Sequence, residues 1–297
     1  MKPSTPDRYA VLGHPVAHSQ SPFIHAEFAR QTGQALDYGR IDCPPGGFEA
    51  AVRAFINSAN PATGLGPARG CNITVPFKFQ VLPLARHVSA RASLAQAANV
   101  LRFDADGWFA DNTDGTGLVR DIQACAGVSL AGKKVLLIGA GGAAAGVLGP
   151  LIEAGIASVT VANRTLDKAQ ALVQRHQAWA AAHGAMISAR PLMDCGERFD
   201  VVLNSSASSL SGAPVPVAAT VLKPGTLAID LMYGPPAQHF MDWAHAHGAT
   251  ARDGLGMLVE QAAGAFALWR GVMPDTAPVL AALRHRLARL AQPARQA

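Results

Sequence analysis

The stretch Lys134-Val-Leu-Leu-Ile-Gly-Ala-Gly-Gly-Ala-Ala-Ala-Gly146 constrains the fold more than any other part of the chain. An apolar run, Val135 to Ile138, meets glycines and then small residues, which is how a buried parallel strand turns sharply into a helix. Gly139, Gly141 and Ala144 fit the spacing G-x-G-x-x-G/A. The first glycine permits the turn, the second lets backbone approach a pyrophosphate, and the small third residue lets the helix lie close on the strand. The helix start adds open N–H groups and the positive end of its dipole. Gly139, Ala140, Gly141, Gly142 and Ala143 therefore form a candidate dinucleotide cradle, against the alternative of tight strand–helix packing with no ligand.

A second apolar strand, Val159-Thr-Val-Ala162, ends in Asn163-Arg-Thr165, with Lys168 one helical turn on. A site selective for NAD carries Asp or Glu here to hold the ribose 2′-hydroxyl, whereas an Arg takes the 2′-phosphate of NADP. Asn163, Arg164, Thr165 and Lys168 thus favour NADP(H) as cofactor, because cations pair with a dianion that a carboxylate would repel. The alternative for Arg164 and Lys168 is a solvated helix start.

A chain of 297 residues, 49% hydrophobic and 15% charged, is long and apolar enough for two ordinary domains with sizeable cores. It has no apolar run of the about eighteen residues a membrane helix needs. Met1 to Asp7 lacks an apolar signal core, so a cytoplasmic location is expected, and residues 291–297 read as a frayed tail. The net charge of +5 is spread over scattered Arg and Lys, with no basic run interleaved with aromatics, and suggests an anionic small molecule rather than nucleic acid. Cys43, Cys71, Cys125 and Cys195 lie far apart without metal-ligand spacing and read as free thiols; no metal is expected.

Ahead of the nucleotide motif, Tyr9-Ala-Val-Leu12 reads as a strand closed by Gly13-His-Pro15. Ser21 reads as an N-cap and Pro22 as the first residue of a helix; Ser19 and Ser21 are either turn and cap residues or two hydroxyls offered to a carboxylate at that helix start. Leu36 to Ile41 reads as a strand, and Gly46 to Asn57 as a helix with Phe48, Val52, Phe55 and Ile56 on one face. In Arg69-Gly-Cys-Asn-Ile-Thr-Val-Pro-Phe-Lys78, Asn72 and Thr74 alternate with Ile73 and Val75 until Pro76 stops the strand. Lys78 falls at a helix start, where the dipole prefers anions. Val81 to Ala98 is expected to be helical, Asn99 to Ala110 a hairpin, and Thr116 to Ala126 a helix for which Asp111 and Asp114 are candidate caps. Leu166 to His183 reads as a helix, Phe199 to Leu203 as the third strand of the nucleotide-binding half, and Leu227 to Tyr233 as the fourth. A hinge is expected at Asp253-Gly-Leu-Gly256, where glycines absorb backbone rotation, before a helix with Gln261 on an apolar face.

Taken in order, these stretches resemble the shikimate dehydrogenase family over about residues 9 to 285. The resemblance is carried by Gly13-His-Pro-Val-Ala-His-Ser-Gln-Ser-Pro22, Cys71-Asn-Ile-Thr-Val-Pro-Phe-Lys78, Asn112-Thr-Asp-Gly115, Gly139-Ala-Gly-Gly-Ala143, Asn163-Arg-Thr165, Asp230-Leu-Met-Tyr233 and Gly254-Leu-Gly-Met-Leu-Val-Glu-Gln261. Two stretches depart from it: Val100 stands where the family usually has Thr after the binding asparagine, and Gly234-Pro-Pro-Ala-Gln-His239 replaces the commoner Asn-Pro-x-x-Thr.

The resemblance implies an α/β fold of two domains: an N-terminal substrate-binding domain, residues 1–113, completed by C-terminal helices in 254–297, and an inserted Rossmann-like NADP-binding domain, residues 114–253. It implies the reversible NADP-linked reduction of 3-dehydroshikimate to shikimate in aromatic biosynthesis. Ser19, Ser21, Thr74, Asn99, Asp114, Tyr233 and Gln261 would contact shikimate, Lys78 and Asp114 would be the catalytic pair, and Leu231 and Gly254 would add to the cofactor site. Oxidising a secondary alcohol requires a hydride to reach the nicotinamide C4 and the hydroxyl proton to leave, so a side chain must handle that proton; Lys78 is the expected donor with Asp114 as its partner. The competing readings are a quinate/shikimate dehydrogenase that also uses NAD, and a non-catalytic NADP-binding sensor. A monomer or a homodimer is expected, with no nucleic-acid or membrane partner.

Overall fold

The computed structural model describes residues 5–59, 64–206 and 214–291; Met1 to Ser4 and residues 292–297 of the expected tail lie outside them. The chain divides into two compact units, Met1–Thr113 with Val259–Ala297, and Asp114–Leu258. No helix among the described residues is long and apolar enough to cross a membrane.

The first unit is built on β1 (Asp7–Gly13), α1 (Ser21–Thr32), β2 (Leu36–Asp42), α2 (Phe48–Asn57), β3 (Ala68–Ile73), β4 (His87–Val88), α3 (Ala90–Ala95), β5 (Val100–Asp104) and β6 (Gly107–Asp111). The strands form one sheet in the order β2-β1-β3-β5-β6-β4. β1 runs parallel to β2 and β3, and the β5–β6 hairpin adds antiparallel to β3, closing with Asp104 opposite Gly107 as its turn residues suggest. Both faces of β1 are covered. Ala10 and Leu12 join Phe48, Val52 and Phe55 of α2 and Phe77 in one core, while Tyr9 and Val11 join Tyr38 and Trp269 in the other. An apolar run without polar alternation is what a strand buried on both faces requires.

Val81 to Ala98 is not one helix. It holds a 3₁₀ turn at Leu82–Leu84, the short β4, and α3, which starts where the Ser89 hydroxyl accepts from Ala92 N–H at 3.2 Å. Pro83 lacks the N–H a continuous helix would use, and Ser89 caps a new start, so the stretch divides there. Ser21 is also not an N-cap. It is the first residue of α1, Gln20 is the flanking residue, and the Gln20 side chain makes no capping bond.

The second unit comprises α4 (Asp114–Arg120), β7 (Lys134–Ile138), α5 (Gly142–Glu153), β8 (Ser158–Asn163), α6 (Leu166–Ala182), β9 (Met186–Pro191), β10 (Val201–Asn204), β11 (Leu227–Asp230), α7 (Pro235–Ala246) and β12 (Thr250–Arg252). Its strands pair in parallel in the order β12-β11-β10-β7-β8-β9. Counted from β7 this is 3-2-1-4-5-6, the doubly wound order of a Rossmann sheet, whose winding reverses between β7 and β10. The strand at Val201 is therefore the fourth, not the third. β9 escapes notice in the sequence because it is an edge strand whose Met186, Ser188 and Arg190 face outward. The helix expected at 116–126 changes to π-helical winding at Asp121–Cys125.

α8 (Leu255–Arg270) and α9 (Ala277–Ala291) end the described chain. Within the first unit, Arg270 of α8 bonds Gln34 at 2.6 and 2.8 Å and Asp7 at 2.5 Å, and Trp269 donates to the Leu101 carbonyl at 3.0 Å. These contacts explain why the end of the chain completes the N-terminal unit. Gly254 and Gly256, in the segment expected to act as a hinge, are needed for space. Neither has a positive φ, and an added Cβ would strike the Leu231 carbonyl or the Asp121 carboxylate.

Candidate functional site

The polar residues singled out in the first unit gather at one edge of its sheet. β1 and β3 end there, β5 begins there and β6 ends there, so Gly13, Thr74, Asn99 and Asn112 belong to neighbouring strand ends. The turn after β3 is held by Thr74 N–H donating to the Leu12 carbonyl at 2.9 Å and by His14 N–H donating to that of Val75 at 3.0 Å. Gly13 is required here, since any side chain would collide with the Thr74 methyl. Phe77 is buried against Phe48, with ring centroids 5.0 Å apart and planes at 13°, which anchors the turn and leaves Lys78 half-buried just after it. The Lys78 carbonyl accepts from Ala98 N–H at 2.9 Å.

Ser19 and Ser21 form a pair. The Ser19 hydroxyl donates to that of Ser21 at 3.2 Å and accepts from Ser21 N–H at 3.3 Å. Arg40 on β2 fixes the Ser19 carbonyl through two bonds of 2.6 and 2.9 Å. Ser19 thus serves the turn into α1, while the Ser21 hydroxyl, inside the first helical turn, is not the cap that its sequence position suggests.

Asn99, 2% exposed, is the hub of this edge. Thr113 N–H donates to its Oδ1 at 2.8 Å, which leaves Nδ2 as the donor to Thr113 Oγ1 and to Gln261 Oε1, both at 3.0 Å. A backbone N–H can only donate, so the amide orientation follows from the network. Gln261 must accept from Asn99 through its oxygen and turn its Nε2 donors elsewhere. α8 approaches closely because Gly264, one turn beyond Gln261, leaves room for the Thr113 methyl, 3.2 Å from where a Cβ would stand. With Thr113 and Gln261 in these places, Asn99 is held although Val100 carries no hydroxyl. Asp111 is engaged differently: its carboxylate takes Arg91, Ser89 and Asn112 N–H and ends β6.

Three residues tied to this network received no role from the sequence. The Tyr38 hydroxyl donates to Asn72 Oδ1 at 2.6 Å, and Asn72 Nδ2 donates to the Asn99 carbonyl at 3.2 Å. Thr113 is the third. The available signal was an Asn inside a strand whose neighbours are all buried, since a buried amide needs partners. His25 is fully buried and stacks on Tyr38 at 4.2 Å with planes 5° apart. Burial pushes its imidazole down to about 3; the nearby Asn72 pulls weakly the other way, although no hydrogen bond of ordinary geometry reaches either ring nitrogen.

In the second unit, the expected cofactor residues gather at the carboxyl ends of the strands around the winding reversal, where open α/β sheets take ligands. Gly139 has φ of +107°, donates its N–H to the Ala162 carbonyl at 2.7 Å, and would bring a Cβ to 2.6 Å from Ser205 Oγ. Gly141 flanks the start of α5 in extended conformation, and a Cβ there would meet nothing within 4 Å. Ala140, Gly142 and Ala143 complete this turn, and Ala144 is fully buried against the sheet. Asn163 Nδ2 donates to the Thr165 carbonyl at 2.8 Å, shaping the exposed turn that carries Arg164, Thr165 and Lys168. No side chain caps α6, and Asp167 already complements its dipole, so Lys168 in the same turn suits an outside anion better than the helix. These residues fit NADP: a backbone cradle for the pyrophosphate, and two cations for the extra phosphate. Leu231 and Tyr233 follow β11, and Gly254 N–H donates to the Met232 carbonyl at 2.8 Å, so the ends of β11 and β12 meet. Asp114 opens α4, 4% exposed.

A doubly wound dinucleotide-type unit, joined in one chain to an α/β unit with a polar strand edge, is the architecture of a two-domain nucleotide-dependent enzyme. The profile described as the shikimate dehydrogenase substrate-binding domain matches residues 11–101, that of shikimate/quinate 5-dehydrogenase matches 121–219, and that of the shikimate 5′-dehydrogenase C-terminal domain matches 254–284. A shikimate dehydrogenase (NADP(+)) of Methylibium petroleiphilum is 63% identical over 278 residues, 94% of each chain. Among solved structures, the Ael1 enzyme from Pseudomonas putida superposes with a TM-score of 0.81 at 42% identity, covering 93% of this chain and 98% of that one. Shikimate 5-dehydrogenase from Thermus thermophilus, in complex with NADP(H) and shikimate, gives 0.79 at 32% identity, covering 94% and 99%. The chain belongs to the shikimate dehydrogenase family.

Proposed function

We propose that this chain is an NADP-dependent oxidoreductase that interconverts 3-dehydroshikimate and shikimate, a step of aromatic biosynthesis in the cytoplasm, acting as a monomer or homodimer without nucleic-acid partners. The observation that carries this reading is the buried polar edge of the first unit, where Ser21, Asn72, Asn99, Thr113 and Gln261 are gathered beside an otherwise apolar core. Polar side chains concentrated in this way serve a polyhydroxylated ligand better than they serve folding. The relatives named shikimate dehydrogenase (NADP(+)) support the same substrate and cofactor.

Each residue then has a task. Ser19 and Ser21 donate to the substrate carboxylate. Thr74, Asn99, Gln261 and Tyr233 sort the ring hydroxyls, Gln261 through its Nε2 because Asn99 occupies its oxygen. Lys78 and Asp114 are the catalytic pair: the Lys78 ammonium gives a proton to the carbonyl oxygen during reduction and takes it back during oxidation, and Asp114 holds Lys78 in place and accepts from a ring hydroxyl. The backbone from Gly139 to Ala143 receives the pyrophosphate, Asn163, Arg164, Thr165 and Lys168 receive the 2′-phosphate, and Leu231 and Gly254 adjoin the nicotinamide. When bound, NADP(H) supplies the electron pair of the reaction.

Two outcomes check these assignments. Replacing both Ser19 and Ser21 by alanine is expected to raise the KM for shikimate by at least about tenfold, since two charge-assisted bonds to a carboxylate are lost; an unchanged KM would eliminate them as its ligands. The double variant Arg164→Ala/Lys168→Ala is expected to cut kcat/KM for NADP by about 10²-fold and leave that for NAD within about threefold, as each lost charge-assisted contact costs on the order of a factor of ten. A parallel fall with both cofactors would mean that these cations do not read the 2′-phosphate.

A further inference from the structure

We infer that Tyr38 is a positioning residue that ties the two ends of the substrate-binding edge together, the serine pair at one end and Asn99 at the other. The inference rests on the proposed function and assigns a task to a side chain that the chemistry above does not use.

The polarity of the hydrogen-bond chain follows from its fixed end. The Asn99 backbone carbonyl can only accept, and it takes Ile73 N–H at 2.8 Å and the Asn72 side chain at 3.2 Å. The Asn72 atom facing it is therefore nitrogen, its oxygen faces Tyr38, and the phenol must donate in its 2.6 Å bond. Burial pushes the Tyr38 phenol well above its ordinary range, against a smaller downward pull from the Ser21 hydroxyl, so it stays protonated and keeps this role at any working pH. The ring itself is held from α1. His25 lies one turn after Ser21 on the same helix face and stacks flat on Tyr38, within a cage completed by Phe28, Phe266 and Trp269. One helix face thus presents the serine to the substrate and clamps the tyrosine that orients Asn72, and Asn72 supports the backbone from which the Asn99 side chain projects.

Without the phenol oxygen, Asn72 Oδ1 becomes a buried acceptor lacking its donor, and the amide is released to turn over. The serine pair and Asn99 are proposed to hold parts of the substrate that do not react, so misplacing them weakens ground state and transition state alike. Such a loss appears in KM rather than kcat.

The test is steady-state kinetics of the full chain with shikimate and NADP for wild type, Tyr38→Phe, Asn72→Ala and the double variant. Tyr38→Phe is expected to raise the KM for shikimate about tenfold, change kcat less than about threefold and leave the KM for NADP unaltered, with the double variant no worse than the weaker single variant. An unchanged KM for shikimate, an equal rise for NADP, or additive effects in the double variant would overturn the role. Should Tyr38→Phe fail to fold, Asn72→Ser carries the same expectation on the two KM values and is judged the same way. Wild-type turnover with an unaffected variant removes Tyr38 alone; a wild-type chain inert toward shikimate removes the proposed function and this inference together.

Discussion

Lys78→Ala is expected to lower kcat for shikimate oxidation by about 10²–10⁴-fold, the range for removing a positioned proton-transfer group. This equals about 3–5 kcal/mol of barrier. The substitution should leave the fold intact, because the turn is anchored by the buried Phe77 and the Ala98–Lys78 bond uses only main chain. The KM for NADP should hold, separating loss of chemistry from loss of cofactor. Asp114→Asn is expected to impair kcat in the same direction, as the proposed partner of Lys78. A decrease below about tenfold for Lys78→Ala, a barrier change near 1.4 kcal/mol, would show that another group carries the proton.

The second large effect is on stability in acid. The His25 imidazole is held near 3, against an ordinary value of 6.5, because it is buried among aromatic rings. Between those values the unfolded chain binds a proton that the folded chain refuses, so stability is fully present above pH 6.5 and is lost as pH falls toward 3. The loss is about 1.4 kcal/mol per pH unit, or roughly 2 kcal/mol between pH 6.5 and 5. His176 in the second unit is lowered by burial too and adds its own acid sensitivity there. His25→Phe keeps a ring against Tyr38 and removes the titration. Denaturant unfolding at the two pH values should therefore show the variant losing about 2 kcal/mol less than wild type. Equal losses would mean that the His25 ring reaches a proton-stabilising partner.

Much of this was legible in the chain because the informative residues are local in sequence. The run from Val135 into Gly139-Ala-Gly141 predicts a strand, a tight turn and a helix, and Gly139 has the positive φ that such a turn needs. Arg164 and Lys168 stand out because no acidic residue occupies Asn163. What escaped depends on long-range packing. β9 alternates weakly because it is an edge strand, and no sequence period separates it from a loop. The stretch from Val81 to Ala98 has the composition of a helix, yet Pro83 and the cap at Ser89 divide it. Tyr38 and Thr113 acquire meaning only when β2, β3 and α8 are brought together around Asn99, since their partners are distant in sequence. For the same reason Ser21 read as a cap: the local pattern is right, and the hydroxyl is used elsewhere.

The most direct test of the central claim follows the nicotinamide absorbance band when purified chain is mixed with shikimate and NADP. The band is expected to rise steadily, to reverse with 3-dehydroshikimate and NADPH, and to change hardly at all in Lys78→Ala. A chain that binds NADPH but leaves the band unchanged with either substrate would contradict the claim.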